Sequence, residues 1–157
     1  TLRIIAYEDP ENITVEKLVP EDAGHWPPQR GEIVLESSAR QTGDYRIGDV
    51  LTLEGRHGEP VSLKVAGFAH DVNAFPAQFS GAEIGFVSFA TLPDLGLPRT
   101  FDQLLLAFDP DGLTQRRASE AAENITRDVF EAHGIAVYAS DVPEPGSHFL
   151  GDIFKAV

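Results

Sequence analysis

Residues 46–71 read RIGDVLTLEGRHGEPVSLKVAGFAHD and contain two runs in which apolar residues recur at every second position. The first run covers residues 50–54 and the second covers residues 61–68, and the polar stretch RHGE at 56–59 separates them. Alternation with a period of two places the apolar side chains on one face of a strand and the polar ones on the other. The pattern therefore predicts a β-hairpin with one face on a core and the other in water.

Short runs of β-branched and aromatic residues on both sides of this hairpin predict further strands. A stretch rich in proline and glycine at 21–31 predicts a loop. Residues 36–42 predict a short helix that ends at Gly43, where a left-handed cap has little cost. The further predicted strands are Leu2–Tyr7, Ile13–Val19, Glu32–Leu35 and Ala82–Phe89.

The spacing of apolar residues changes after residue 101. The nearly continuous apolar run at 102–108, DQLLLAF, predicts a central strand that is covered on both faces. Apolar residues then fall at helical spacing over residues 114–133, where Thr114 is suited to cap the start and Gly134 to end the helix. Residues 135–138, IAVY, predict a further strand. Together with the hairpin, this strand-helix-strand segment predicts an α+β fold.

The composition excludes several classes of function. The chain of 157 residues has 25 acidic and 12 basic side chains and a formal net charge of -13, so nucleic acid and an anionic bilayer surface would repel it. The absence of cysteine excludes disulfides and thiolate metal sites. There is also no methionine, and residues 148–157 turn apolar. From these two features we expect a fragment of a longer chain that stops at the beginning of a further helix.

No sequence motif for catalysis or for a cofactor is present. The five histidines are spaced singly, and the chain has neither a Gly-rich phosphate loop nor a GxSxG serine motif. We therefore predict no catalytic residue, no cofactor and no metal. Ser37 and Ser38 are interpreted as helix caps, and DPDG at 109–112 as a turn. One alternative stays open, a small hydrolase that uses carboxylates and His70, with Asp71 orienting the imidazole.

Three aromatic residues lie in predicted loops. Trp26 stands beside two prolines, and Phe75 and Phe79 belong to the stretch 73–81, NAFPAQFSG. Aromatic residues in loops either pack back onto a core or contact a partner. We name Trp26, Phe75 and Phe79 as candidate partner-contact residues. If they line one concave surface, the alternative is a soluble module that binds an apolar ligand between two lobes.

Several of these segments resemble the extracytoplasmic domain of ABC-transporter permeases of the MacB/FtsX/LolC type. The strand led by Gly-Glu, the Gly-Asp segment of the hairpin and the strand that follows it carry the closest likeness. Residues 100–108, the long helix and the HGI sequence at 133–135 resemble the returning strand, helix and strand of that domain. Residues 147–153 resemble the start of its second transmembrane helix, so the likeness covers residues 31–157. The three pieces of closest likeness are Gly31–Leu35, Ile47–Leu53 and Leu63–Asp71.

The resemblance implies a non-catalytic domain on the extracytoplasmic side of the cell (inner) membrane. It implies a membrane-near α+β lobe, residues 1–31 and 99–157, and an inserted β-rich lobe, residues 32–98. Such a domain couples the ATP-driven cycle of the transporter to a partner protein or to lipoprotein or efflux cargo. The expected partners are the membrane-embedded remainder of the permease, its ATP-binding subunit and an extracytoplasmic partner protein or lipoprotein, and pairing of two copies is left open. The crossings between the lobes, near Gly31 and Pro98, are then expected to be short and well packed.

Overall fold

The computed structural model describes residues 1–13, 15, 17–107 and 114–142 of the chain. The chain forms two compact units, Thr1–Leu105 and Leu106–Val157. The first unit holds a β-sheet, and the second holds the long helix. None of the helices in the described part of the chain combines the length and the apolar character that crossing a bilayer requires.

Six strands of the first unit form one mixed sheet. Across the sheet the order is β1, β6, β3, β5, β2, and β4 also pairs with β5. β1 runs parallel to β6, and β3 runs parallel to β5 and antiparallel to β6. The sheet and the helices together confirm the predicted α+β class. The strands are β1 (Leu2–Tyr7), β2 (Leu18–Gly24), β3 (Glu32–Glu36), β4 (Val50–Glu54), β5 (Pro60–Asp71) and β6 (Glu83–Ser88).

The hairpin predicted from residues 46–71 is confirmed as β4 and β5, but the prediction of one face in water is wrong for residues 65–69, which are buried on both faces. The two strands are antiparallel, with Val50 opposite Lys64 and Glu54 opposite Pro60. β5 has 12 residues and is longer than predicted. Its first part, residues 60–64, pairs with β4, and residues 67–71 pair with β2. Since Lys64 faces both β3 and β4, these two strands lie on opposite edges of β5. β5 thus pairs with three other strands, β2, β3 and β4.

Short helical segments follow the strands of the first unit. A 3₁₀ helix at Ser37–Gln41 follows β3, a second at Phe89–Leu95 follows β6, and α1 (Ala77–Ser80) follows β5. The predicted short helix at 36–42 is therefore present, although it ends at Thr42 in a right-handed conformation rather than at Gly43.

The long helix of the second unit is confirmed. α2 (Gln115–Ile125) begins after Thr114, whose hydroxyl accepts a hydrogen bond from the Arg117 N–H. The helical path continues through a wider π-helical turn, Thr126–Phe130, and a tighter 3₁₀ turn, Glu131–His133. It ends at Gly134, whose φ of 73° is a left-handed conformation that favours glycine.

The two strands predicted on either side of this helix are wrong in the part that the structure describes. Residues 101–107 and 135–142 form no strand, and Phe108 lies outside the described residues, as does the turn predicted at 109–112. An apolar run becomes a strand only when a neighbouring strand takes its backbone hydrogen bonds. The pattern of the run itself does not provide that neighbour.

β2 also differs from its prediction, since it covers Leu18–Gly24 and so enters the stretch predicted to be a loop. The reason is tertiary, because β2 pairs with β5 across an irregularity between Pro20 and Gly24. Gly24 has φ of 94°, and a Cβ atom on it would lie 2.3 Å from the carbonyl oxygen of Ala66. Only glycine allows the two strands to approach this closely.

The strand pairing differs from the lobe division that the resemblance implies. Residues 1–31 contribute β1 and β2 to the same sheet to which residues 32–98 contribute the other four strands. The boundary between the compact units lies at Leu105 and Leu106, well beyond Pro98. The assignment of residues 99–157 to a membrane-near lobe stays a prediction.

Both faces of the sheet carry a hydrophobic core. β3 contributes to both, because its successive side chains point to opposite faces. Its residues Ile33, Val34 and Leu35 are all at most 1% exposed. The first core includes Ile33, Leu35, Leu63, Val65, Phe68 and Val87, and the second is built from Val34, Ala66, Ala69 and Phe86.

Truncation of Phe86 is expected to destabilise the fold strongly. Phe86 is fully buried in β6, and its ring contacts Tyr7 at 6.3 Å and Trp26 at 6.1 Å between centroids. Phe86→Ala should lower the free energy of unfolding by about 3–5 kcal/mol, because it leaves a cavity in the second core. Urea denaturation measures the change. Val50→Ala, at a residue that is 62% exposed, is the control and should cost less than about 0.5 kcal/mol. Equal midpoints for the two variants would contradict this account of the core.

Candidate functional site

A buried carboxylate lies where β3 ends, next to the end of β5. Glu36 is the last residue of β3 and is only 3% exposed. Its Oε1 lies 3.2 Å from Nδ1 of His70, and its Oε2 accepts a hydrogen bond from the Ser38 N–H at 2.8 Å. The Ser38 hydroxyl donates to the same oxygen in a short hydrogen bond. Glu36 thus brings Ser38 and His70 to one place at the edge of the sheet.

The Ser38 hydroxyl also links this carboxylate to α1. Its oxygen accepts a hydrogen bond from the Ala77 N–H at 2.9 Å. Ala77 is the first residue of α1, which lies in the loop after β5. Ser38 thus joins the start of the first 3₁₀ helix to the start of α1. Glu36 is therefore both the cap of the 3₁₀ helix and an indirect support of α1.

A second set of polar contacts lies on the same 3₁₀ helix. Glu21 of β2 accepts a hydrogen bond from the Ser37 hydroxyl at 2.8 Å and pairs with Arg40 at 2.8 Å. The Arg40 guanidinium lies over the ring of Phe68, 3.7 Å from its centroid, in a cation–π contact. These contacts attach the 3₁₀ helix to β2 and β5.

The hydrolase alternative required His70 to lie within reach of a carboxylate, and Glu36 meets that requirement. A serine nucleophile, however, needs its hydroxyl next to the base. In the described part of the chain, Ser38 and His70 each bond to Glu36 and form no hydrogen bond with each other. The side chain of His70 is 63% exposed, whereas that of Glu36 is 4% exposed. This arrangement favours a capping and tethering role for Glu36 over acid-base catalysis.

Sequence reasoning paired His70 with Asp71 and missed Glu36. Asp71 is buried, and its Oδ1 accepts a hydrogen bond from the Asn73 N–H at 2.9 Å, so it stabilises the turn after β5. The signal for Glu36 was an acidic residue directly after an apolar strand and directly before two serines, which is a capping position. Its pairing with His70 depends on the register between β3 and β5, in which Glu36 lies opposite Ala69.

Trp26, the first of the three candidate partner-contact residues, packs on the sheet. It is half-buried against the second core, where its ring meets that of Phe86 edge to face at 80°. Its indole N–H donates to the carbonyl oxygen of Pro10 at 3.3 Å. These contacts hold the loop after β1 against the end of β2.

Phe75 and Phe79 lie together in the loop that carries α1. Their ring centroids are 6.0 Å apart in an edge-to-face arrangement. Phe75 is half-buried, whereas Phe79 is 69% exposed. Residues 72–82 contain no charged side chain, and Val72 at their start is also exposed. We refer to residues 72–82 as the apolar tip. Trp26 packs against the second core, whereas Phe79 lies in the apolar tip and is exposed to water. The two side chains therefore have different surroundings.

Polar contacts near Gly31 connect the loop before β3 to the second 3₁₀ helix. The Arg30 guanidinium pairs with both carboxylate oxygens of Asp94, at 2.8 and 2.5 Å, and this hydrogen bonding holds the pKa of Asp94 below its usual value. The Gly31 N–H donates to the hydroxyl of Thr91, a fully buried residue, at 3.2 Å. We call these two links the clasp. The clasp joins residues 30–31 to residues 91–94.

Glu32 forms a further charged contact beside the clasp. Burial raises the pKa of Glu32, but hydrogen bonds from the Gln29 N–H at 3.0 Å and from His25 at 2.7 Å lower it more, so that the net pKa lies below its usual value. A carboxylate of this kind stabilises the fold in its ionised state.

No group of three or more potential metal ligands exists within the described residues. His25, His57, His70 and His133 lie in different parts of the structure, in the loop after β2, the β4–β5 turn, the end of β5 and the end of the long helix. His148 lies outside the described residues.

Comparisons with known proteins return no relative. The chain matches no protein-family model, no curated protein and no solved structure. The likeness to permease domains therefore rests on the sequence segments described above.

The pH dependence of stability should report the contact of Glu32. Because the pKa of Glu32 is lower in the folded than in the unfolded chain, its contribution is present above the unfolded value of roughly 4.3 and is lost as the pH falls through the folded value. Glu32→Gln should therefore make the free energy of unfolding fall less steeply between pH 7 and pH 3 than in the native chain. Urea denaturation across this range measures the slope, with Glu54→Gln on exposed β4 as the control. A slope unchanged by Glu32→Gln contradicts the assignment.

Glu36 and His70 should differ strongly in their importance for stability. Glu36→Ala leaves the half-buried Ser38 N–H and hydroxyl without their acceptor, so we expect a loss of about 1–3 kcal/mol in the free energy of unfolding. His70→Ala removes an exposed partner and should cost less than about 1 kcal/mol. Urea denaturation at neutral pH compares the two. If His70→Ala costs as much as Glu36→Ala, the histidine has a larger role than tethering.

Proposed function

We propose that this chain is a non-catalytic extracytoplasmic domain of an ABC-transporter permease of the MacB/FtsX/LolC type. In this role it couples the ATP-driven cycle to a partner protein or to lipoprotein or efflux cargo. The observation that carries the proposal is the coincidence of the three segments of closest likeness with a continuous part of the sheet. Gly31–Leu35 lies on β3, Ile47–Leu53 leads into and covers most of β4, and Leu63–Asp71 lies on β5. β3 and β4 both pair with β5, one on each of its edges.

The clasp supports a role in transmitting motion. A domain transmits force through packed elements that move together. The clasp fixes the loop before β3 to the second 3₁₀ helix by a bidentate ion pair and a hydrogen bond to a buried hydroxyl. The N–H of Lys64 on β5 also donates to the carbonyl oxygen of Gly31 at 3.0 Å. The chain near Gly31 is thus held from two directions, which suits a segment that passes motion between neighbouring elements.

The apolar tip is the surface that we assign to the extracytoplasmic partner. It is uncharged although the chain has a formal net charge of -13, and it exposes Phe79 on a base formed by Phe75. Large aromatic side chains at the centre of an interface contribute most of its binding energy. Ser38 holds Ala77 at the start of α1, so the tip is attached to the sheet through Glu36. In this assignment Trp26 supports the second core, and Phe79 makes the contact.

The first test of the proposal uses the complete native gene product with an affinity tag. We expect it to fractionate with the cell membrane and to co-purify with an ATP-binding subunit whose ATPase activity is measurable in the complex. Its membrane helices should flank the present sequence, and a protease added to intact spheroplasts should cleave within it. Recovery in the soluble fraction without an ATP-binding subunit would overturn the proposal.

The second test addresses the apolar tip. A photo-crosslinking amino acid at position 79 should form an adduct with an extracytoplasmic protein in living cells. The same amino acid at position 50 is the matched control, since Val50 is also exposed but lies on β4. In the isolated complex, Phe79→Ser should weaken binding of the crosslinked partner by about 2 kcal/mol, roughly 30-fold, and Val50→Ser should not. Equal crosslinking at the two positions contradicts the assignment of the tip.

A further inference from the structure

The outer edge of β1 is open in the described part of the chain. β1 is the terminal strand of the sheet and pairs with β6 alone. Open strand edges carry backbone N–H and C=O groups that can pair with a further strand, and proteins commonly cover them. Beside this edge lies a cavity of about 740 Å³, whose lining includes most of β1 and residues 100–105. We call the cavity the trough and residues 100–105 the strap.

The strap is attached to the sheet at two points. The ring of Phe101 stacks on that of Phe89 at 5.2 Å between centroids and an angle of 29°. The Gln103 side-chain oxygen accepts a hydrogen bond from Arg3 of β1 at 3.4 Å. The strap forms no strand, yet its leucines remain open to water, with Leu104 59% and Leu105 37% exposed. An apolar segment thus runs beside an open strand edge without pairing to it.

The pattern of side chains on β1 matches the sequence of the strap. Ile4 of β1 packs against the first core and Ile5 against the second, so both faces of the sheet are covered at this strand. A strand added beside β1 would extend both apolar faces of the sheet, and consecutive apolar residues would continue the two faces. Leu104 and Leu105 provide them, because successive side chains of a strand point to opposite faces. The strap, which forms no strand in its present position, therefore has the composition that a strand beside β1 requires.

We propose that the strap closes onto the outer edge of β1 as a seventh strand, and that the trough is the space between its open position and that edge. Closing pairs the backbone groups of Leu2, Ile4 and Ala6 that point away from β6, covers Leu104 and Leu105, and fills the trough. The strap follows the second 3₁₀ helix after a few residues, so the loop that must close is short. The occupant is therefore this segment of the same chain. The inference does not depend on the permease assignment.

Engineered cysteines test the closure directly, because the chain has none of its own. The contact between positions 3 and 103 now involves the far ends of two long side chains. A disulfide in Arg3→Cys/Gln103→Cys requires Cα atoms within about 7 Å, a separation that neighbouring strands provide. We expect this pair to form an intramolecular disulfide as completely as Thr52→Cys/Ser62→Cys, whose residues lie opposite each other in β4 and β5. Mass spectrometry and non-reducing electrophoresis measure the yield.

Two outcomes of the cysteine test would overturn the proposal. One is an absence of the intramolecular disulfide while the control pair closes. The other is a disulfide that links two chains and increases with protein concentration, which would assign the edge of β1 to a second copy.

Hydrogen exchange provides a test that does not depend on disulfide geometry. The β1 amides that do not bond to β6 should exchange about tenfold or more slowly in the native chain than in Leu104→Asp/Leu105→Asp, because the charged strap cannot close. Val50→Asp is the control for a new charge at an exposed apolar position and should leave β1 exchange unchanged. Equal β1 exchange in the native chain and the strap variant contradicts closure.

Discussion

The parallel pairing of β3 with residues 64–69 of β5 places both strands in the middle of the sheet, where most of β3 and residues 65–69 are buried on both faces. Ile33 and Leu35 face one core, and Val34 faces the other. The other strands of the sheet are positioned by this pair, since β6, which carries β1, pairs with β3 on one side and β2 and β4 pair with β5 on the other. A change in register of one residue would send each side chain to the opposite core, so close packing in both cores fixes the alignment.

The same pair determines where the polar groups meet. Parallel strands end at the same edge of a sheet, and here the ends are Glu36 and Asp71, both buried acids. A buried carboxylate is stable only with hydrogen-bond donors, and each acid accepts from a backbone N–H of the segment that follows its strand. The first contact starts a 3₁₀ helix, and the second stabilises the turn into the apolar tip. The tip is therefore held by capping contacts at both strand ends.

The proposed coupling function and the proposed strap use different parts of the first unit. The apolar tip follows β5 near the middle of the sheet, whereas the strap lies beside β1 at its edge. The clasp ties the loop before β3 to the helix that precedes the strap. A buried centre with an exposed aromatic tip suits the proposed transmission of motion, and the proposed closing of the strap onto β1 would leave that centre unchanged. The two proposals can therefore stand or fail separately.

Sequence alone determined several of the local elements and the class of fold. Alternation predicted the β4–β5 hairpin, helical spacing and capping predicted the long helix ended by Gly134, and the mixture of both predicted the α+β class. These features succeed because they depend on neighbours within a few residues. Of the candidate site, the sequence indicated Phe79 as an aromatic loop residue and His70 as a polar strand end. It did not indicate that Glu36 joins Ser38 to His70, that Trp26 packs on Phe86, or that residues 102–107, within the described part of the chain, form no strand. Tertiary structure decided these points, because each depends on which distant strand lies alongside and in what register.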